Sequence, residues 1–210
     1  MLMIYIQVIG CGIGVIGAFV LGLLLRKYPT DKVRKITTMI MHFIFLVCWL
    51  IPVVAGLFYT CFASYDELLS IPSLPFKGLS VLFGSLMLLL SFILIALSNL
   101  ALLEYGHGTA AFVLTKNVVE NYVFKLTRNP MSLGAYLGCL GFGLLLSSTY
   151  FTLWVLIEAI PSHIFFLKFF EEKELELRFG QSYLEYKKRV PFLIPNIRNV
   201  AERSSASNKT

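Results

Sequence analysis

The sequence predicts an all-α integral membrane protein with about five transmembrane helices. Hydrophobic residues make up 57% of the 210 residues and charged residues only 14%, whereas a soluble domain has about 45–50% apolar and roughly 25% charged residues. One small core cannot bury so much apolar surface, so lipid must solvate much of it. The apolar residues also form long runs, each able to cross the hydrocarbon as a helix.

Three separate runs in the first half each predict one span, because a transmembrane helix needs about 20 apolar residues. They extend from about Met3 to Leu25, Met39 to Ala63 and Leu79 to Leu103. Small residues recur every four positions in the first run, which predicts close helix packing along one face. These small residues are Gly10, Gly14, Ala18 and Gly22.

The last apolar run, from about Met131 to Phe170, is twice the length of one span. Polar Ser147-Ser148-Thr149 divides it near the middle. The run therefore predicts two short helices joined by a tight turn, which completes five spans. Gly134 and Gly138 predict close packing of the first of these helices.

Basic residues in the short loops predict the orientation. The first loop carries the cluster Arg26, Lys27, Lys32, Arg34 and Lys35. The second loop carries Asp66 and Glu67 against Lys77, and both the segment before the hairpin and the tail are basic. We therefore expect the amino terminus outside and the carboxyl terminus in the cytosol. The net charge of +6 is a topology signal, so we expect no nucleic acid partner. The cysteines and histidines lack metal-ligand spacing, so we expect no metal site.

Two polar clusters bracket the last hairpin, whose turn can bring them to one interface. The first is Arg128-Asn129-Pro130-Met131-Ser132-Leu133-Gly134. Pro130 suits the first turn of a helix, where free amides and the Arg128 guanidinium can bind a carboxylate. An arginine before a span is also an ordinary positive-inside residue. The second cluster comprises Glu171-Glu172-Lys173-Glu174-Leu175, Phe179-Gly180, Tyr183, Tyr186 and Lys187-Lys188-Arg189-Val190-Pro191.

For each of two carboxylates, Glu158 and Glu171, the sequence leaves two possible roles open. Glu158 falls midway along the fifth span, where an ionised group is costly, so it either makes an interhelical hydrogen bond or lines a substrate cavity. Glu171, Leu175 and Arg178 share a helical face by their spacing. That face is either an exposed amphipathic extension with salt bridges or part of a binding site.

Together these segments resemble the isoprenylcysteine carboxyl methyltransferase family and its relatives among phospholipid methyltransferases. The pattern of that family is Arg-His/Asn-Pro-x-Tyr-x-Gly, a short hairpin, Glu-Glu-x-x-Leu, Phe-Gly and a Tyr-rich basic tail. Tyr183 to Pro191 is similar to the isoprenylcysteine branch, and Gly106-His107-Gly108-Thr109 is similar to the loop before the cofactor segment. The resemblance covers about Gly106 to Pro195.

The resemblance implies transfer of a methyl group from S-adenosylmethionine, bound in a cytosolic carboxyl-terminal pocket, to a lipid-embedded acceptor. Arg128 and Glu171 are the implied catalytic residues, and Glu171 is also an implied cofactor ligand. The other implied cofactor-binding residues are Lys116, Asn117, Val118, Val119, Phe124, Asn129, Pro130, Met131 and Ser132. Glu158 and Lys168 are candidates for the substrate site. The implied acceptor is an isoprenylcysteine-like carboxylate.

The chain departs from this pattern at several positions. The usual glycine and tyrosine before the motif are Tyr122 and Phe124, and the motif tyrosine is Ser132. Lys116 stands where a histidine is common, and Leu167, beside Lys168, stands where a substrate-associated arginine is expected. Three alternatives stay open. The sequence does not exclude a phospholipid amine N-methyltransferase, an NADPH-dependent sterol-type reductase has a related carboxyl-terminal architecture, and the departures leave open a non-catalytic membrane scaffold.

The expected organisation has three parts. Residues 1–105 form three transmembrane helices, 106–197 form the catalytic segment and 198–210 form a disordered tail. The expected partners are the bilayer and a lipid or lipidated acceptor, in a bacterial inner membrane or an endoplasmic reticulum according to source. The sequence does not define the oligomeric state.

Overall fold

The structure, a computed structural model, describes residues 2–51, 53, 62–109 and 114–195. Every regular element in these ranges is a helix, and four helices are long and apolar enough to cross a membrane. A fifth, shorter apolar helix covers Pro130–Leu145. The predicted all-α membrane fold is therefore confirmed. Two predictions, the end of the second span and the disordered tail at 198–210, fall on residues 54–61 and 196–210, outside the described residues.

The helices are named α1 to α7 in chain order. They are α1 (Leu2–Lys27), α2 (Asp31–Leu50), α3 (Phe62–Leu68), α4 (Lys77–Gly106), α5 (Pro130–Leu145), α6 (Thr149–Phe179) and α7 (Gln181–Arg189). A short 3-10 turn covers Tyr122–Lys125. Single π turns interrupt α2 at Leu46–Leu50 and α6 at Val155–Ala159 and Leu167–Glu171.

The first loop is shorter than predicted, because α2 begins at Asp31 and not near Met39. Thr30 starts this helix as its N-cap, and its Oγ1 accepts a 3.3 Å hydrogen bond from the amide of Val33. Asp31 follows in the first turn, where negative charge complements the helix dipole. The basic residues Lys32, Arg34 and Lys35 thus lie on α2.

The predicted division of the last apolar run is confirmed. α5 ends at Leu145, Ser147 has a φ of 53°, and α6 begins at Thr149. Ser148 caps α6, with its Oγ accepting from the amide of Phe151 at 3.2 Å. Local polar residues therefore turn the chain between two spans.

The second helix of the hairpin is not short, and this corrects the prediction. α6 has 31 residues and continues past Phe170 through the second polar cluster to Phe179. Ion pairs between neighbouring turns support this extension, Lys173 with Glu176 at 3.4 Å and Glu174 with Arg178 at 3.1 Å. Gly180, with a φ of 57°, ends the helix in the left-handed region.

The chain divides into two compact units. Unit 1 comprises residues 1–88 and 139–178, and unit 2 comprises residues 89–138 and 179–210. In unit 1, α1 packs on α2 and α6. A cluster of buried aromatic side chains joins α2 to α6, including Trp49, Phe151 and Trp154. The predicted boundary at residue 105 stays a prediction.

Small residues allow close helix packing, as predicted, at most of the expected positions. A Cβ on Gly10 would lie 2.5 Å from the carbonyl oxygen of Cys48, and one on Gly22 would lie 2.7 Å from the Phe169 ring. Gly14 differs, because a Cβ there would meet nothing within 4 Å. In unit 2, a Cβ on Gly138 would lie 2.7 Å from Ser91 Oγ, so α5 packs closely on α4.

Candidate functional site

The loop between α4 and α5 in unit 2 carries the first group of predicted site residues. Lys116 and Asn117 are exposed, Val118 is half-buried and Val119 is buried. The amide of Lys116 donates to the carbonyl of Gly106 at 2.8 Å. A Cβ on Gly106 would lie 2.9 Å from Thr115 Cγ2, so the loop packs directly on the end of α4. The Lys116 side chain is exposed to solvent, and Asn117 Nδ2 donates to the carbonyl of Tyr105 at 3.4 Å.

Tyr122, which stands where the resemblance leads us to expect a glycine, has an unusual backbone conformation. Its φ is 49°, in the left-handed region that side chains other than glycine rarely adopt. The exposed tyrosine hydroxyl donates to Glu104 Oε2 at 3.1 Å. A glycine would adopt this conformation without the steric cost that the tyrosine side chain adds.

Helix α7 supports the 3-10 turn that contains Phe124. Phe124 is half-buried, and its carbonyl oxygen accepts a 2.8 Å hydrogen bond from the hydroxyl of buried Tyr186. Burial raises the pKa of the Tyr186 hydroxyl, chiefly by desolvation. The hydroxyl therefore stays protonated and keeps donating across the physiological range.

The Arg-Asn-Pro segment is fastened to the chain after α7. The amide of Arg128 donates to the carbonyl of Pro191 at 2.9 Å. The carbonyl of Phe192 accepts from Asn129 Nδ2 at 2.9 Å and from Thr127 Oγ1 at 3.1 Å. We call residues 190–195 the tail strap, because they hold the predicted motif by main-chain acceptors.

Arg128 is half-buried, between an aromatic ring and a hydroxyl. Its guanidinium carbon lies 5.6 Å from the centre of the Phe192 ring, and its Nη1 is 3.5 Å from the Tyr183 hydroxyl. Pro130 is fully buried at the start of α5, followed by half-buried Met131 and Ser132 in the first turn. First-turn amides have no acceptor within the helix and carry partial positive charge. This end of α5 suits a carboxylate.

A surface ion pair also joins the loop to α7, and sequence reasoning did not find it. Both oxygens of Glu120 lie close to Arg189 Nη2, at 2.9 and 2.8 Å. The two side chains are 36% and 49% exposed. Nothing local in the sequence pairs them, since they are 69 positions apart.

The Glu171–Leu175 part of the second polar cluster lies in unit 1, near the end of α6, whereas the part from Phe179 to Pro191 lies in unit 2. Glu171 is half-buried at the last position of the π turn Leu167–Glu171. Glu174 is buried and binds Arg34 of α2 at 3.0 Å and Arg178 at 3.1 Å. Glu171 interacts electrostatically with Glu174, Arg178 and Glu172. The face of α6 that carries Glu171 and Arg178 is thus part of a charged network around buried Glu174. Arg34 also belongs to this network, and sequence reasoning missed it.

The two candidate substrate residues occupy separate π turns of α6. Glu158 is half-buried in Val155–Ala159, while Lys168 is exposed in Leu167–Glu171. Lys168 lines an open, largely apolar cleft of about 450 Å³ together with Pro161, Ile164, Phe165 and Phe169. Glu158 is not one of the described residues that line this cleft. Ser162 Oγ donates to the carbonyl of Ala159 at 2.9 Å.

Comparison with protein families identifies the chain. The family model for phospholipid methyltransferase matches residues 79–182, about half of the chain. The chain belongs to the phospholipid methyltransferase family. No curated protein and no solved structure matches it.

As a member of this family, the protein is an integral membrane methyltransferase that acts on lipid-type substrates. The predicted relationship is confirmed. The matched region begins at Leu79 and so also includes most of α4, which precedes the stretch from Gly106 to Pro195 that the resemblance covers. The match ends at Ser182, before Tyr183, Tyr186 and the tail strap. Both Arg128-Asn129-Pro130 and Glu171-Glu172 lie within it.

Proposed function

We propose that this methyltransferase uses S-adenosylmethionine as methyl donor and methylates an isoprenylcysteine-like carboxylate on a lipid-embedded acceptor. The observation that carries the proposal is the family match, because residues 79–182 contain both Arg128-Asn129-Pro130 and Glu171-Glu172. The resemblance of these clusters to the isoprenylcysteine branch supports the finer assignment. The excess of basic residues near α1, α2 and the tail supports a cytosolic site and carboxyl terminus.

The residues of the loop and of α5 fit the chemistry of S-adenosylmethionine. Its carboxylate needs hydrogen-bond donors and positive charge, which the Arg128 guanidinium and the amides of Met131 and Ser132 supply. Buried Val119 and half-buried Phe124 offer apolar surface for the adenine. The remaining proposed donor-binding residues of this part of the chain are Lys116, Asn117, Val118, Asn129 and Pro130.

In the same proposal Glu171 binds the ammonium or a ribose hydroxyl of the donor. A carboxylate accepts hydrogen bonds from either group, and it also attracts the charge of an ammonium. Glu171 is half-buried, and it ends a π turn, a feature frequent at functional sites. This part of the proposal rests on the resemblance and on the chemistry of the side chain.

When bound, the donor supplies a methyl group that its sulfonium has already activated. A carboxylate acceptor is already an anion, so the protein needs no base and contributes mainly alignment and exclusion of water. The tail strap serves alignment by holding Asn129 and the backbone of Arg128. Exposed Lys168, beside an apolar cleft, is suited to attract an anionic acceptor.

A phospholipid amine is the second candidate acceptor, because the matched family is that of phospholipid methyltransferases. An amine must lose a proton before it can accept a methyl group, so this reaction needs a base. Glu158 and His107 are the candidates for that role. His107 is exposed, with a φ of 52°, directly after α4.

Calorimetry on the detergent-solubilised protein tests the donor. We expect S-adenosylhomocysteine to bind the parent and to bind Glu171→Ala and Arg128→Met at least roughly ten-fold more weakly. Glu176→Ala, on the same helix, and exposed Lys125→Met are matched controls that should bind like the parent. Absence of binding to the parent, or unchanged binding to Glu171→Ala and Arg128→Met, contradicts the proposal. Binding of NADPH instead indicates a reductase, and binding of neither ligand indicates a scaffold.

Transfer of a labelled methyl group tests the acceptor. We expect label in prenylcysteine analogues and not in extracted lipids. Label in the amine headgroups of lipids alone would establish the second candidate.

A reporter fused to the carboxyl terminus tests the orientation, with a cytosolic signal expected.

A further inference from the structure

Arg34 of α2 and Glu174 of α6 form a buried ion pair within unit 1. Arg34 Nη1 lies 3.0 Å from Glu174 Oε1, and the two side chains are only 11% and 4% exposed. The other oxygen, Oε2, lies 3.1 Å from Arg178 Nη2. Arg34 also binds Asp31 Oδ1 through Nη2 at 3.1 Å. Each oxygen of the buried carboxylate therefore has a guanidinium partner.

This buried ion pair fixes the positions of its side chains, but it need not increase the stability of the fold. A buried ion pair is often no more stabilising than apolar residues of the same volume, because both charges lose their hydration. Removing one partner, however, leaves the other charge buried without compensation, which is strongly unfavourable. The Glu174 carboxylate thus depends on both arginines for its charge balance.

The network reaches Glu171 through Arg178. Glu171, Glu174 and Arg178 lie on one face of α6 by their spacing of three and four. Arg178 interacts electrostatically with Glu174, Glu171 and Arg34. While Arg34 neutralises one oxygen of Glu174, Arg178 pairs with the other oxygen and also acts electrostatically on Glu171. Without Arg34, the uncompensated Glu174 carboxylate attracts Arg178 more strongly and withdraws it from Glu171.

We propose that Arg34 is a positioning residue for the methyl-donor site, acting through Glu174 and Arg178 to hold the Glu171 carboxylate. The inference rests on the proposed role of Glu171 in donor binding. Arg34 lies outside the matched residues 79–182. The amino-terminal half of the chain therefore contributes to the methyltransferase function and is more than a membrane anchor.

Binding of S-adenosylhomocysteine to the full-length protein tests the inference. Arg34→Met should weaken binding roughly ten-fold, the size of effect found when the support of a ligand-binding residue is removed. Arg34→Lys keeps the charge and should restore most of the affinity. Exposed Lys35→Met, on the neighbouring position of α2, is the matched control and should bind like the parent.

A double variant separates positioning from a general loss of structure. Adding Glu174→Gln to Arg34→Met removes the uncompensated carboxylate, so affinity should return toward that of the parent. Parent-like affinity of Arg34→Met, or a double variant that binds no better than Arg34→Met, overturns the inference. If the parent itself does not bind the probe, the proposed function fails and the inference fails with it. Thermal melting of each variant confirms that affinities refer to folded protein.

Discussion

The side-chain amide of Asn129 donates a 2.9 Å hydrogen bond to the carbonyl oxygen of Phe192, so the Arg-Asn-Pro segment is held by the tail strap. Thr127 donates to the same oxygen at 3.1 Å. One main-chain acceptor therefore receives two side chains that flank Arg128. This relationship gives the tail strap a definite role, which is to order the segment proposed to bind the donor.

Asn129→Ala should loosen this segment. Loss of the hydrogen bond leaves a polar group of the strap less well paired, which destabilises by about 1–2 kcal/mol. We expect a lower melting temperature together with weaker binding of S-adenosylhomocysteine. Asn121→Ala is the control, because Asn121 makes no side-chain capping bond to the 3-10 turn it precedes. Equal behaviour of the two variants would contradict the role of the strap.

Tyr122→Gly should relieve backbone strain. Tyr122 has a φ of 49°, and a left-handed conformation costs a residue with a Cβ roughly 1–2 kcal/mol. Tyr122→Ala loses the same hydroxyl but keeps the strain, so it is the matched comparison. Denaturant unfolding should find the glycine variant more stable than the alanine variant by about 1 kcal/mol. An alanine variant of equal or greater stability would show that the backbone is not strained there.

The Glu120–Arg189 ion pair should make the loop sensitive to salt. The pair is exposed, so its coupling free energy in a double-mutant cycle of Glu120→Gln and Arg189→Met should stay below about 1 kcal/mol. Salt screens exposed charges, so the coupling should vanish near roughly 1 M ionic strength. Unfolding measured at low and high salt checks both points. A coupling that survives high salt would contradict the exposed character of the pair.

Tyr186 should make stability depend on alkaline pH. Burial raises its pKa above the ordinary value, so folding favours the protonated hydroxyl. The contribution of the Tyr186 hydroxyl to the free energy of unfolding is complete below the ordinary tyrosine pKa of about 10. It declines as the pH rises above that value. Tyr186→Phe should be less stable than the parent by about 1 kcal/mol at pH 8. That difference should shrink above pH 10 in melting curves, and a constant difference would contradict the assignment.

The sequence alone determined the membrane class, the presence of the long apolar helices and the family, but not all of the helix bounds. Each of these depends on residues close together in the chain. The apolar run of α4 is long enough to span the membrane by itself. Ser148 caps α6, which begins at the next residue. Hydropathy and capping act over one or two turns, so they can be read without knowing which helices touch. The same locality allowed the Arg-Asn-Pro and Glu-Glu patterns to be recognised.

Only the tertiary structure decided which of these residues support one another. Arg34 and Glu174 are 140 positions apart, and Asn129 and Phe192 are 63 apart. No local pattern selects these partners among 18 basic and 12 acidic residues or among the backbone carbonyls of the tail. The partners are set by how α2 packs in unit 1 and by where the chain runs after α7 in unit 2. Side-chain chemistry is thus encoded locally, whereas its pairing follows from helix packing and chain closure over long separations.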